Sequence, residues 1–237
     1  MLVIKGLTFE YPNGYKAVEN LNLHVEKGDL YAFIGHNGAG KTTTIKSIVG
    51  ILKFNEGEIL VDGKSVINNP LETKEVISYL PDNPDLYESL TGIQYLNFIS
   101  DIYRISKDER QPLIEYYANE FGMLDKLNNY ISSYSHGMKQ KIALIGAFIH
   151  RPKLLILDEP FVGLDPKASF VVKKMMKEFC QNGGAIFFST HILEVAQKLC
   201  NKMAIIKQGK LIKEGLMEEI TKDTSLEDVF MELTENV

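Results

Sequence analysis

Polar and apolar positions divide the chain into three stretches. Leu2 to Tyr11 and Ala17 to Val25 read as strands. The unbroken apolar run Leu30 to Ile34 reads as a buried strand, with Gly28-Asp29 before it and a Gly-rich loop after it. A helical stretch follows from Lys41 to Leu52, and Gly57 to Val61 leads into Asp62-Gly63, a hairpin signal. Up to Leu80 the chain is therefore expected to be β-rich with one helix.

From Thr91 to His150 the period becomes helical. Ile93, Leu96, Ile99 and Tyr103 recur at helical spacing, as do Leu113, Tyr116, Tyr117 and Phe121, with Pro112 inside the stretch. Past Arg151-Pro152 the pattern alternates again. Lys153–Leu157, Ala185–Phe188 and Met203–Lys207 read as strands, and Pro166–Cys180 and Ile192–Leu199 as helices. Such alternation predicts an α/β fold with a mostly parallel sheet and helices on both of its faces. The middle stretch then forms an inserted α-helical lobe. The expected division is a core of residues 1–83 and 151–237, with a helical subdomain at 84–150.

Composition narrows the function classes. The 237 residues suffice for one large domain or two lobes sharing a core. Net charge is -5, which argues against a nucleic-acid binder, since these need a basic surface; a local basic patch stays open. The two cysteines, Cys180 and Cys200, show no metal-ligand spacing, and their sparseness fits a reducing compartment. The N-terminus carries no apolar signal region, and no run approaches the ~18 apolar residues of a spanning helix. The longest run, Ile142 to Ile149, is the size of a core segment. If the protein works at a membrane, another polypeptide is expected to span it.

Gly35-His36-Asn37-Gly38-Ala39-Gly40-Lys41-Thr42 matches G-x-x-x-x-G-K-[ST], with a strand before and a helix after. Glycines let the backbone wrap a triphosphate and aim several N–H groups at its oxygens, and the helix N-terminus adds positive potential. Lys41 can reach the β- and γ-phosphates, the Thr42 hydroxyl can ligate Mg²⁺, and Thr43 can add a phosphate hydrogen bond. A second element is the apolar run Leu154 to Leu157 ending in Asp158-Glu159. Ligands of open α/β sheets lie beyond the carboxyl ends of the strands, so Asp158 is placed to hold Mg²⁺ and Glu159 to orient the attacking water. His191, after Phe187-Phe188-Ser189-Thr190, ends another strand on that edge and is a candidate γ-phosphate contact.

With these motifs in this order, the chain resembles the ATP-binding cassette ATPases over nearly its full length. The stretch Tyr134-Ser135-His136-Gly137-Met138-Lys139-Gln140 stands where that family carries Leu-Ser-Gly-Gly-Gln; Ser135 and Gly137 match, while Tyr134, His136 and Met138 do not. Ser135 also reads as the N-cap of a helix from His136 to His150. The resemblance implies a P-loop NTPase core with an N-terminal antiparallel β subdomain, ATP and Mg²⁺ as ligands, and ATP hydrolysis. It implies a head-to-tail dimer, homo- or heteromeric, in which Ser135 and Gly137 clamp the ATP held by the other protomer. Tyr11 stands where an aromatic stacks on adenine. Val162-Gly163-Leu164-Asp165 matches the loop that meets the partner protomer. Asp82 replaces the Gln that usually serves metal and water there, and it could bind Mg²⁺ through water.

The single compact cassette, with no coiled coil, looks like the subunit of a transporter. Its Ser225 to Leu233 ending and its His136-Gly137-Met138-Lys139-Gln140-Lys141 run resemble bacterial exporter ATPases that work with separate transmembrane permease subunits at the cytoplasmic face of the membrane. Leu86, Tyr87, Leu90 and Tyr95 are candidate linings of the groove for that permease. The alternative is a soluble ATPase switch acting on a non-membrane partner.

Overall fold

The computed structural model describes residues 1–235. The chain opens with β1 (Leu2–Glu10), β2 (Lys16–Val25), β3 (Leu30–Ile34), α1 (Lys41–Ile48), β4 (Glu56–Val61), β5 (Lys64–Ser65), α2 (Pro70–Val76) and β6 (Ile77–Leu80). Three helices follow: α3 (Gly92–Ile102), α4 (Lys107–Glu120) and α5 (His136–Ile149). The rest comprises β7 (Leu154–Asp158), α6 (Pro166–Gln181), β8 (Ala185–Thr190), α7 (Leu193–Leu199), β9 (Lys202–Lys207), β10 (Lys210–Leu216), α8 (Met217–Ile220) and α9 (Leu226–Glu235).

Two sheets organise these elements. The larger runs β10-β9-β3-β8-β7-β6, all parallel except β10. The smaller is antiparallel, in the order β2-β1-β4-β5. Strand alternation sorts the central sheet into two faces. Leu155, Leu157, Ile186, Phe188, Met203 and Ile205 point into the core that holds α5, α6 and α7. Tyr31, Phe33, Leu154, Ile156 and Phe187 point the other way, into a core shared with α1 and the small sheet. In this second core Phe187 lies 5.7 Å from Tyr31 and 5.2 Å from Phe33, ring to ring.

The expected helices lie on both faces, α5, α6 and α7 on one and α1 on the other, where the antiparallel sheet implied by the family resemblance covers it. The helical spacing read to Leu52, however, stops early. α1 ends at Ile48, because Gly50 takes a positive φ of 73° and Val49 closes the last turn. The region up to Leu80 holds a second helix, α2, started by Pro70 at its first position. The Asp62-Gly63 hairpin forms as expected, with φ of 50° and 79°, the left-handed pair a two-residue turn requires.

The helical stretch is built from well-specified helix starts. Thr91 with Gln94, and Ser106 with Glu109, form capping boxes for α3 and α4. Pro112 sits inside α4, which continues through it. Buried Arg110 is held by Asp101 at 2.7 Å and by the Asn97 carbonyl at 2.9 Å. α5 is buried along most of its length and joins this helical stretch to the sheet.

Candidate active site

β3 delivers the chain into the Gly35–Gly40 loop, and α1 begins at Lys41. The glycines are required by contact as much as by conformation. A Cβ at Gly35 would lie 2.5 Å from the Ile206 carbonyl oxygen, and one at Gly40 2.4 Å from that of Ala17. Gly40 also has φ 106°. Beneath the loop, the Gly209 N–H donates to the Ala39 carbonyl at 2.9 Å. The loop therefore rests on β2 and the β9–β10 turn. Lys41 is buried, and its Nζ donates to the carbonyls of Gly35 at 2.6 Å and His36 at 3.3 Å. Burial lowers its pKa below the usual lysine value, and the charges of Glu159 and Asp158 oppose that shift.

The acids come from the next strands. β7 pairs with β8 in parallel so that Asp158 stands beside Ser189. The Ser189 hydroxyl donates to one Asp158 oxygen, and the Thr42 hydroxyl to the other at 2.9 Å. Asp158 is thus fixed by both sides of the site although it is buried. Glu159 lies one residue beyond the strand, in the left-handed region at φ 49°, a conformation that costs a non-glycine residue of order 1 kcal/mol or more. Its N–H donates to Ser189 Oγ at 3.1 Å, which holds the turn. Its carboxylate sits 3.9 Å from Lys41 Nζ and 3.0 Å from His191 Nδ1.

Lys41, Thr42, Asp158 and Glu159 border a cleft of about 300 Å³ that is also lined by Tyr11, Tyr15, Asn37, Gly38, Thr43 and Asp82. Tyr11 reaches Thr43, hydroxyl to hydroxyl, at 3.4 Å. Its ring lies 14° from parallel with that of Tyr15, at 6.3 Å. Tyr15 and Ser189 are cleft or support residues that the sequence reading did not single out. The signal for Tyr15 was the Pro12-Asn13-Gly14 turn, which places it opposite Tyr11; the Tyr11 N–H donates to the Tyr15 carbonyl at 2.9 Å. Asp82 follows β6 and Pro81. Burial, with the charges of Asp158 and Asp82, raises the pKa of Tyr79 to about 12.

Ser135 and Gly137 lie outside this cleft. The Ser135 hydroxyl caps α5, accepting from the Met138 N–H at 3.3 Å. A Cβ on Gly137 would stand 2.9 Å from the Gly163 carbonyl oxygen, and one on Gly163 2.5 Å from His136 Nδ1. The start of α5 therefore packs directly on the Val162–Asp165 loop. Asp165 in turn caps α6 through the Ala168 N–H at 2.8 Å and pairs with Lys141 at 2.7 Å. Within α5, Gln140 is fully buried with neither amide atom hydrogen-bonded.

A separate cavity of about 150 Å³ lies between β6 and α3, lined in part by Tyr79, Leu86, Tyr95, Tyr103 and His150. Tyr87 faces outward, edge-on to Phe98 at 5.4 Å, and both rings are exposed.

Comparison with known proteins agrees with this geometry. The family model for the ABC transporter matches residues 18–162. The ABC-type transporter ATP-binding protein EcsA of Bacillus subtilis is 34% identical, over 99% of this chain and 96% of its own. A solved ATP-binding subunit of an ABC transporter superposes with a TM-score of 0.95 at 33% identity, over 99% of each chain. The ATP-binding cassette MJ0796, solved as a dimer in a post-hydrolysis state with ADP and Pi, shares the fold with a TM-score of 0.83 at 23% identity, over 92% of this chain and 99% of its own. The chain belongs to the ABC transporter ATP-binding family and is an ATP-binding subunit with an ABC ATPase fold. Subunits of this kind work with membrane components and dimerise. Among the described residues, no helix is long and apolar enough to cross a membrane.

Proposed function

We propose that this subunit hydrolyses Mg·ATP at the Lys41–Asp158–Glu159 cleft and powers transport, in the export direction, through a separate transmembrane permease at the cytoplasmic face of the membrane. The observation carrying the hydrolytic part is the position of Glu159, within 4 Å of both Lys41 and His191. Loop N–H groups and Lys41 bind the phosphates. Glu159 accepts a hydrogen bond from the attacking water and takes its proton as the new P–O bond forms and the bond to the ADP oxygen breaks. His191 holds Glu159 in place, and Tyr11 with Tyr15 offers aromatic faces to the base.

The donor set suits a hard cation. The donors at the cleft are a hydroxyl and carboxylates, all oxygen, which is the ligand type Mg²⁺ takes alongside waters and substrate phosphates. The Thr42 hydroxyl and Asp158, with Asp82, would hold it. When bound, Mg²⁺ neutralises charge on the phosphate oxygens.

Ser135 and Gly137 serve the ATP of a second protomer; the exposure of Ser135, outside the lining of its own chain's cleft, supports this reading. The exposed Tyr87–Phe98 pair and the groove at Leu86 and Tyr95 supply the permease contact. Export rests on the likeness of the C-terminal ending and of the His136–Lys141 run to exporter ATPases.

The test is phosphate release by Glu159→Gln in the complex purified from its native membrane. Turnover is expected to fall at least 100-fold with ATP binding retained. Unchanged turnover would remove Glu159 from the mechanism, and purification without any membrane-spanning partner would remove the transport role.

A further inference from the structure

The phosphate loop makes one side-chain contact that catalysis does not account for. The His36 ring lies 4.8 Å from the ring of Phe230, tilted by 58°. Phe230 belongs to α9 and is buried. Both ends of α9 are tied down. At its start the Leu226 N–H donates to the Gln197 side chain of α7 at 3.1 Å, and Ser225 receives the Asp228 N–H at 3.1 Å. Toward its end Lys207 Nζ, on β9, donates to the Thr234 carbonyl at 2.8 Å. Phe230 is thus a fixed stop against the outer side of a loop whose inner side rests on the backbone of Ile206, Gly209 and Ala17.

We propose that Phe230 is a positioning residue for nucleotide binding, acting through His36. The His36 carbonyl accepts from Lys41, and the Ala39 N–H donates to that carbonyl at 3.1 Å. Rotating the peptides on either side of His36 therefore redirects both the lysine and the loop N–H groups that meet the phosphates. Backbone contacts hold the loop at Gly35, Ala39 and Gly40, and the ring contact holds the stretch between them. By reciprocity, a nucleotide that prefers this loop conformation also strengthens the docking of α9.

The inference rests on reading the Gly35–Thr43 loop as the ATP site. The test uses the full chain and the fluorescent analogue TNP-ATP with Mg²⁺. Phe230→Ala is expected to weaken binding five- to tenfold, and Phe230→Tyr, which keeps the ring, less than twofold. His36→Ala is expected to match Phe230→Ala, and the double variant to be no weaker than either single one. A generally destabilising effect would instead multiply with that of His36→Ala. In the wild-type chain, ATP is expected to slow amide exchange across Leu226–Glu235. Wild-type affinity in Phe230→Ala, multiplicative single effects, or α9 exchange indifferent to ATP would each overturn the proposal. Failure of the wild-type chain to bind any nucleotide would instead overturn the underlying reading of the loop.

Discussion

The loop before α1 and the turn before α5 are both helix entrances, yet they stand in opposite circumstances. The first is enclosed. Its glycines press against backbone from β2 and β9, and its lysine is buried beside two carboxylates. The second is open. Ser135 is exposed, its hydroxyl spends itself on the Met138 N–H, and nothing of its own chain's cleft lies against it. A helix N-terminus with free N–H groups is an anion site wherever an anion is brought to it. The difference teaches that two helix entrances of one chain can be built oppositely; on the function proposed above, the enclosed one binds with its own chain and the open one meets the nucleotide of a second chain.

Ser135→Ala probes that division most strongly. Turnover in the assembled complex is expected to fall on the order of 100-fold, the scale of losing one donor at a charged transition state. TNP-ATP affinity of the single chain should stay within twofold. Equal losses in both would merge the two entrances into one site.

The far end of α5 gives a smaller effect. His150 stacks on Tyr103 at 3.6 Å, with Nε2 3.2 Å from the Ile77 carbonyl, so the neutral ring donates to β6. Burial lowers its pKa from 6.5 to about 4. Between those values the unfolded chain binds the proton that the folded chain refuses, so stability is present above pH 6.5 and drains as pH falls toward 4. Urea unfolding should lose about 2 kcal/mol between pH 7.5 and 5 through this group. His150→Phe, keeping the stack, should lose that much less over the same range. An identical pH dependence in the variant would show that α5 is not pinned there by a neutral imidazole.

Midway along the helix, Gln140 carries a buried amide without partners. Gln140→Met is expected to raise the unfolding free energy by about 1 kcal/mol, the lower end of what an unsatisfied buried amide costs. A loss of stability would mean that the amide is satisfied in solution.

Legibility in the sequence followed the range of the interactions. The loop from Gly35 to Thr42 was readable because its chemistry lies in consecutive residues. β3 and β7 were readable because strands buried on both faces are uninterrupted apolar runs. Ser189 was not, since its role comes from the parallel register that sets it beside Asp158. α2 was missed because its seven residues offer too little apolar periodicity, and Pro70 is its plainest mark. The antiparallel layer over α1 could not be inferred from strand positions alone, because alternation reports that a face is covered and not by what. Phe230 was visible as part of a family-like ending, but its contact with His36 joins residues from opposite ends of the chain.

The contact between Gly137 and Gly163 has a consequence for altering this molecule. A side chain at Gly137 would meet the Gly163 carbonyl, and one at Gly163 the His136 ring, so the two segments are fitted as lock and hasp. A larger residue at either one shifts both the α5 entrance and the loop that continues from Glu159. Grafting a signature turn from a relative therefore means transplanting Ser135–Gln140 and Val162–Asp165 as a matched set.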